Sequence, residues 1–225
     1  MGIITGPVIA CKIVARMLKM SSERVQVVGS RLQEIRGEVL RKSLHLLIAL
    51  SPTLAFWNFD LTVFLLSLGI LVYVIAESLR LQGREVAFIS LVTRLASRDR
   101  DKNRAVLGPV TLGLGALLCL MMYPEPAATV GIYALAFGDG FSSLIGKLVG
   151  RVTLPFTGGK TLEGSLAAFV AVWIAVSAFD HQPLTALAVA AVATLLEALP
   201  LKDLDNLVIP LGTGLFYLLA VHVNA

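Results

Sequence analysis

Between Gly138 and Ser165 the chain reads Gly-Asp-Gly-Phe-Ser-Ser-Leu-Ile-Gly-Lys-Leu-Val-Gly-Arg, a short connector, then Gly-Gly-Lys-Thr-Leu-Glu-Gly-Ser. A polar group buried without a partner costs about 2–7 kcal/mol. Acids, cations and hydroxyls crowded between apolar segments of a chain that is 56% hydrophobic therefore point to function. The residue types suit the handling of phosphate. Gly159, Lys160 and Thr161 invite a P-loop reading, but that motif needs a glycine five positions before Gly159, and Leu154 stands there. What remains is a glycine pair delivering Lys160 to a helix start, with Thr161 as cap, Glu163 in the first turn, and the free N–H groups that make such a start an anion site. A cation at this end of a helix is unfavourable unless an anion is near.

Three further clusters accompany the strip. Glu38, Arg41, Lys42 and His45 follow the spacing E-x-x-R-K-x-x-H, which puts them on one helix face. Headgroup anchoring accounts for Arg41 and Lys42, less readily for His45 one turn on. Glu77 and Arg80 form an i, i+3 pair that a salt bridge would explain. Glu197 is followed by Asp203, Asp205 and Asn206, more acids than capping needs, and oxygen ligands of this kind suit Mg²⁺.

The elements that must carry these residues are membrane helices. Charged residues make up 15% of the chain and mean hydropathy is +0.82, against about 25% charged in soluble domains. Apolar runs at 44–59, 61–78, 105–123, 127–146, 164–180, 183–199 and 206–223 predict an all-α, polytopic membrane bundle of about seven transmembrane helices. All 19 Lys and Arg fall on one side of that arrangement, which predicts a cytoplasmic N-terminus and an external C-terminus. The charge of +4 is thus a topology signal, and no nucleic-acid partner is expected. Residues 1–43 read as a cytoplasmic, interfacial helical segment and 44–225 as the transmembrane domain. An interfacial helix is expected around 86–92. No cleavable signal is evident near Met1, and Cys11 and Cys119 match no metal or disulfide spacing.

Asp139 falls within the fourth run, about 12 Å of helix rise from Lys147, a depth at which an ionisable group faces a bundle interior or a wet cavity. Gly138, Ser142, Gly146 and Gly150 recur every four residues beside a polar stripe of Asp139, Ser143 and Lys147. The small stripe serves either helix packing or close approach of a ligand, and Asp139 either a paired structural carboxylate or a functional one.

Together, E-x-x-R-K-x-x-H at Glu38 to His45, the Gly138-Asp139 helix with Ser143, Gly146 and Gly150, Lys160-Thr161-Leu162-Glu163-Gly164-Ser165, and Glu197 with Asp205-Asn206-Leu207 to Pro210 resemble the diacylglycerol/polyprenol kinase family. The resemblance covers about residues 36–212. It implies transfer of a nucleotide γ-phosphoryl group, typically from CTP, to the hydroxyl of a membrane lipid alcohol such as a polyprenol, a phytol-like prenol or diacylglycerol. On that reading Asp139 and one or more of Glu163, Glu197 and Asp205 bind Mg²⁺, and Lys160, Arg41 and Lys42 hold the triphosphate. Ser143, Gly159, Thr161 and Gly164 lie along the phosphates, and Asp139 or His45 aligns or deprotonates the hydroxyl. Glu38, Glu77, Arg80, Gly138, Gly146 and Asn206 complete the expected site, which would face the cytoplasm from a multi-pass cell-membrane protein. Gly140-Phe141 departs from the small residues usual after Gly-Asp. The alternatives are a phosphatidate cytidylyltransferase-like enzyme, which makes a CDP-activated lipid, and a small transporter with Asp139 as its coupling group.

Overall fold

The computed structural model describes residues 35, 37–84, 105–180 and 182–224. The expected interfacial segments before Gly37 and around 86–92 lie outside them. Gly37–Ala225 form one compact unit, so the helix bearing Glu38, Arg41, Lys42 and His45 belongs to it. The helices in order are α1 (37–48), α2 (Ser51–Trp57), α3 (Phe59–Leu81), α4 (Gly108–Met122), α5 (Glu125–Tyr133), α6 (Gly140–Val149), α7 (Leu162–Ser177), α8 (Pro183–Ala198) and α9 (Asp205–Asn224). A π-helical turn, Ala134–Asp139, joins α5 to α6, and a 3₁₀ turn, Lys202–Leu204, precedes α9.

Helix starts follow from local chemistry. Proline occupies the first turn of α2, α4, α5 and α8, where its missing N–H costs nothing. The Asn58 side chain accepts from Leu61 N–H at 2.9 Å to cap α3, and Thr161 Oγ1 accepts from Gly164 N–H at 3.2 Å to cap α7. Inside α9, Pro210 cannot donate to the Asn206 carbonyl one turn earlier.

Every apolar run expected to span forms helix. Four stretches, Gly37–Trp57, Phe59–Leu81, Glu125–Val149 and Lys202–Val221, are long and apolar enough to cross a membrane. The other three, Gly108–Met122, Leu162–Ser177 and Pro183–Ala198, are apolar but shorter, about 22–24 Å of rise against a hydrocarbon core of about 30 Å. The core lies among α4, α5, the π turn, α7, α8 and α9, where Val130, Leu135, Val172, Val189 and Ile209 are fully buried. By contrast α3 is peripheral, with only 11% of its apolar window buried and Phe64, Leu68 and Leu71 exposed. Such a helix fits lipid as its surroundings.

The small-residue stripe is a packing seam. A Cβ on Gly164 of α7 would stand 2.6 Å from the Ser142 carbonyl, and one on Gly146 would stand 2.9 Å from Thr161 Oγ1. These glycines let α6 and α7 touch along their backbones, and Gly138 faces Val172 in the same seam.

Candidate active site

The buried charged residues of the bundle gather at one end. That end holds the start of α1, the finish of α3 and of α6, and the start of α9, as expected of helices that alternate in direction. Here Glu38 accepts from Arg41 on its own helix and lies 2.7 Å from Lys147 Nζ of α6. Further along α1, Lys42 Nζ lies 2.5 Å and His45 Nδ1 3.0 Å from the same oxygen, Asp139 Oδ2. Partner numbers fall along α6 as they rise along α1, so the two helices are antiparallel and joined by charge. Asp139, Lys42, Glu38 and His45 are all buried, and buried ions persist only when paired and hydrogen-bonded.

The π turn ends at Asp139. Its wider hydrogen-bonding pattern shifts the helix register there, as π bulges at functional sites do. One turn on, Ser142 Oγ donates to Glu197 Oε1 of α8 at 2.8 Å, and Lys160 Nζ lies 2.8 Å from the same oxygen. Lys160 Nζ also donates to the Glu197 backbone carbonyl.

A tight loop between α6 and α7 presents Lys160. Leu154 N–H donates to the Lys160 carbonyl at 2.8 Å, and Leu162 N–H to the Val152 carbonyl at 2.8 Å. The chain reverses through Gly158 and Gly159, whose φ angles of 73° and 98° suit residues without Cβ. Glycine at these positions therefore shapes the turn that brings Lys160 back toward α8.

Two adjoining cavities result. One is lined by Arg41, Lys42, His45, Pro109, Leu112, Asp139, Asp203, Asp205 and Asn206, among others. The second, about 410 Å³, is lined by Ser142, Ser143, Gly146, Lys147, Gly159, Lys160, Thr161, Gly164, Glu197 and Lys202, with further residues. Glu38, Asp139, Lys202 and Asp205 border both, so they form one divided cleft. Among the described residues, buried Glu38 Oε1, Ser165 Oγ and Glu197 Oε2 make no hydrogen bond, and the residues bearing these atoms line the cleft.

Four expected site residues, Glu163, Glu77, Arg80 and Gly138, line neither cavity. Glu163 is turned onto the loop before α7, where its carboxylate accepts from Arg151 N–H at 3.0 Å and Val152 N–H at 3.3 Å. Glu77 binds Arg80 through both oxygens at 2.8 and 2.7 Å and accepts from Val106 N–H at 2.7 Å, clipping α3 to the start of α4. Gly138 lies in the α7 seam. Asn206 borders the cleft, yet its amide donates to Thr111 Oγ1 at 2.9 Å and the Gly108 carbonyl at 3.3 Å, tying α9 to α4. Among the described residues no three His, Cys, Asp or Glu side chains gather as a metal-binding group. Cleft residues that sequence reasoning left out of the site include Ser142, Lys147 and Lys202. Lys147 was visible as part of the polar stripe, whereas the Ser142–Glu197 bond joins residues on different helices and left no local signal.

These features define a class: a membrane-type helical bundle with a charged cleft at one end. No protein-family model matches the chain, and no solved structure matches it. Among curated proteins it is 27% identical over 179 residues to a probable chloroplastic phytol kinase of Zea mays, covering 72% of this chain and 56% of that one. It is 26% identical over 142 residues to the probable chloroplastic phytol kinase of Triticum aestivum, covering 55% and 47%. It is also 32% identical over 87 residues to CTP-dependent diacylglycerol kinase 1 of Schizosaccharomyces pombe, covering 37% and 39%. The chain spans about half the length of the phytol kinases it matches. At this low identity, the relatives support the diacylglycerol/polyprenol kinase family for this chain.

Proposed function

We propose that this protein transfers the γ-phosphoryl group of CTP to the hydroxyl of a membrane lipid alcohol. The observation that carries this reading is the divided cleft, in which a helix-borne carboxylate, Asp139, is bound by Lys42 and His45 on one side. On the other side lie Lys160 and the capped start of α7. Phosphoryl transfer needs alignment and charge neutralisation more than covalent participation by the protein. The names of the relatives add a lipid acceptor and, through the fission-yeast protein, CTP.

In the proposed reaction Lys160, Arg41 and Lys42 hold the triphosphate, with the loop at Gly159 beside it; the first N–H groups of α7 are already engaged, that of Leu162 by the Val152 carbonyl and that of Gly164 by Thr161 Oγ1. Asp139, with Asp205 or Glu197, would hold Mg²⁺, a hard cation that binds through one or two carboxylates plus phosphates. Bound Mg²⁺ supplies neutralisation of charge on the phosphates. A bound triphosphate would give Lys160, Arg41 and Lys42 an anionic partner in place of the carboxylates they now pair with. His45, whose Nδ1 lies 3.0 Å from Asp139 Oδ2, takes the proton of the lipid hydroxyl. The cleft faces the cytoplasm by the charge asymmetry of the sequence.

Purified protein incubated with γ-labelled CTP or ATP and a panel of lipid alcohols tests the proposal. Label transferred to a lipid, with CDP released, is the expected result. Pyrophosphate and a nucleotide-linked lipid would assign a cytidylyltransferase, and no turnover with any nucleotide would overturn the enzymatic reading.

A further inference from the structure

A third cavity, of about 400 Å³, lies between α1–α2, α3 and α4, and its walls are almost wholly apolar. Leu44, Pro109 and Leu112 line both this groove and the charged cleft, so the two meet at one place. That place is beside His45, the chain neighbour of Leu44. From Leu44 to Leu54 the groove follows the first two helices for about 15 Å of rise. Its other wall is α3, the least buried of the four long apolar stretches. Gly69 of α3 opens this wall: a Cβ built there meets nothing within 4 Å.

We infer that this groove holds the hydrocarbon chain of the acceptor alcohol, with the hydroxyl end reaching the charged cleft past Leu44 and Leu112. The inference rests on the kinase reading for its occupant. Its physical basis is continuity: a lipid alcohol must keep its chain in an apolar medium while its hydroxyl reaches buried ions, and this groove joins those two environments. Remote contacts of this kind position the reacting end.

Gly69→Phe fills the groove from a position with open space, far along α3 from the charged residues, and Gly69→Ala fills it less. The full chain in nanodiscs is assayed with a long-chain prenol, diacylglycerol and a short water-soluble prenol. Labelling with a long-chain prenol carrying a photoreactive diazirine in its tail is measured in parallel. Expected for Gly69→Phe is a loss of at least about tenfold in kcat/KM for the long-chain acceptors, with KM for nucleotide and turnover of the short prenol unchanged. The loss should be smaller for Gly69→Ala. The diazirine probe should mark α3 around Gly69 and Tyr73 in the wild type and lose that site in Gly69→Phe. Unchanged long-chain kinetics and labelling would overturn the inference, as would equal labelling by a diazirine phosphatidylcholine that competes with the prenol, which would assign the groove to bilayer lipid. A changed oligomeric state with wild-type acceptor kinetics would assign it to a second copy of the chain. Specific labelling by the prenol without phosphorylation of any alcohol would refute the kinase reading and leave the lipid site standing.

Discussion

The buried pair of Lys42 and Asp139 allows structural and catalytic roles to be separated by a double-mutant cycle. At 2.5 Å and an effective dielectric of about 20, the gross attraction is about 7 kcal/mol, and desolvation of both ions, several kcal/mol each, cancels much of it. Removing one partner leaves the other buried and uncompensated, a loss of about 3–5 kcal/mol. Asp139→Asn should be the more damaging single change, because Asp139 also faces His45 at 3.0 Å, whereas Lys42→Met leaves the carboxylate that second neighbour. The double variant Lys42→Met/Asp139→Asn carries no orphaned charge at this pair. It should be more stable than the sum of the singles by about 2–3 kcal/mol, within the range of coupling seen for contacting residues. Unfolding of the three variants in one detergent measures the coupling, and phosphorylation with CTP measures activity. Stability should return in the double variant while activity stays at least about 100-fold below wild type. Additive losses of stability would refute the paired geometry, and recovery of activity with stability would refute a part for these residues in chemistry.

Other outcomes follow from the same geometry. Lys160→Met should lower kcat about 100- to 1,000-fold, the usual loss for removing one electrostatic stabiliser, and Lys160→Arg should restore little because a planar fork cannot replace a point charge beside Glu197; steady-state kinetics in detergent would show both. Gly164→Ala drives a methyl into the Ser142 carbonyl and should cost about 1–3 kcal/mol, while Gly140→Ala meets nothing within 4 Å and should be neutral or stabilising by up to about 1 kcal/mol; paired melting curves check the contrast. Glu163→Gln should change turnover by less than about threefold and leave its dependence on Mg²⁺ concentration unmoved, because that carboxylate faces loop N–H groups and lies off the cleft.

The helices were legible because lipid imposes one simple rule on sequence: apolar length. The runs that fell short as full spans, Gly108–Met122, Leu162–Ser177 and Pro183–Ala198, have ends set by Pro, Gly and capping groups, and hydropathy reads these less sharply than it reads apolar length. The charged face of α1 was legible because helical spacing alone aligns Glu38, Lys42 and His45. The direction taken by Glu163 was not legible, because a first-turn acid looks the same in sequence whether it turns toward the cleft or toward a preceding loop. The role of the small stripe was open in the sequence, since glycines at four-residue spacing serve ligands and helices equally. Only the position of α7 shows that Gly146 and Gly164 touch. The apolar groove was invisible for a different reason: its three walls come from separate helices, and no wall alone differs from any other lipid-facing surface.

The π turn at Ala134–Asp139 ties the cleft to a residue count as well as to residue identity. Each residue of an α-helix turns the chain by about 100°, so losing one residue from this turn would swing Asp139 away from α1 with its side chain intact. An alignment that slips by a single position here could keep every charged residue and still describe a chain unable to build the site.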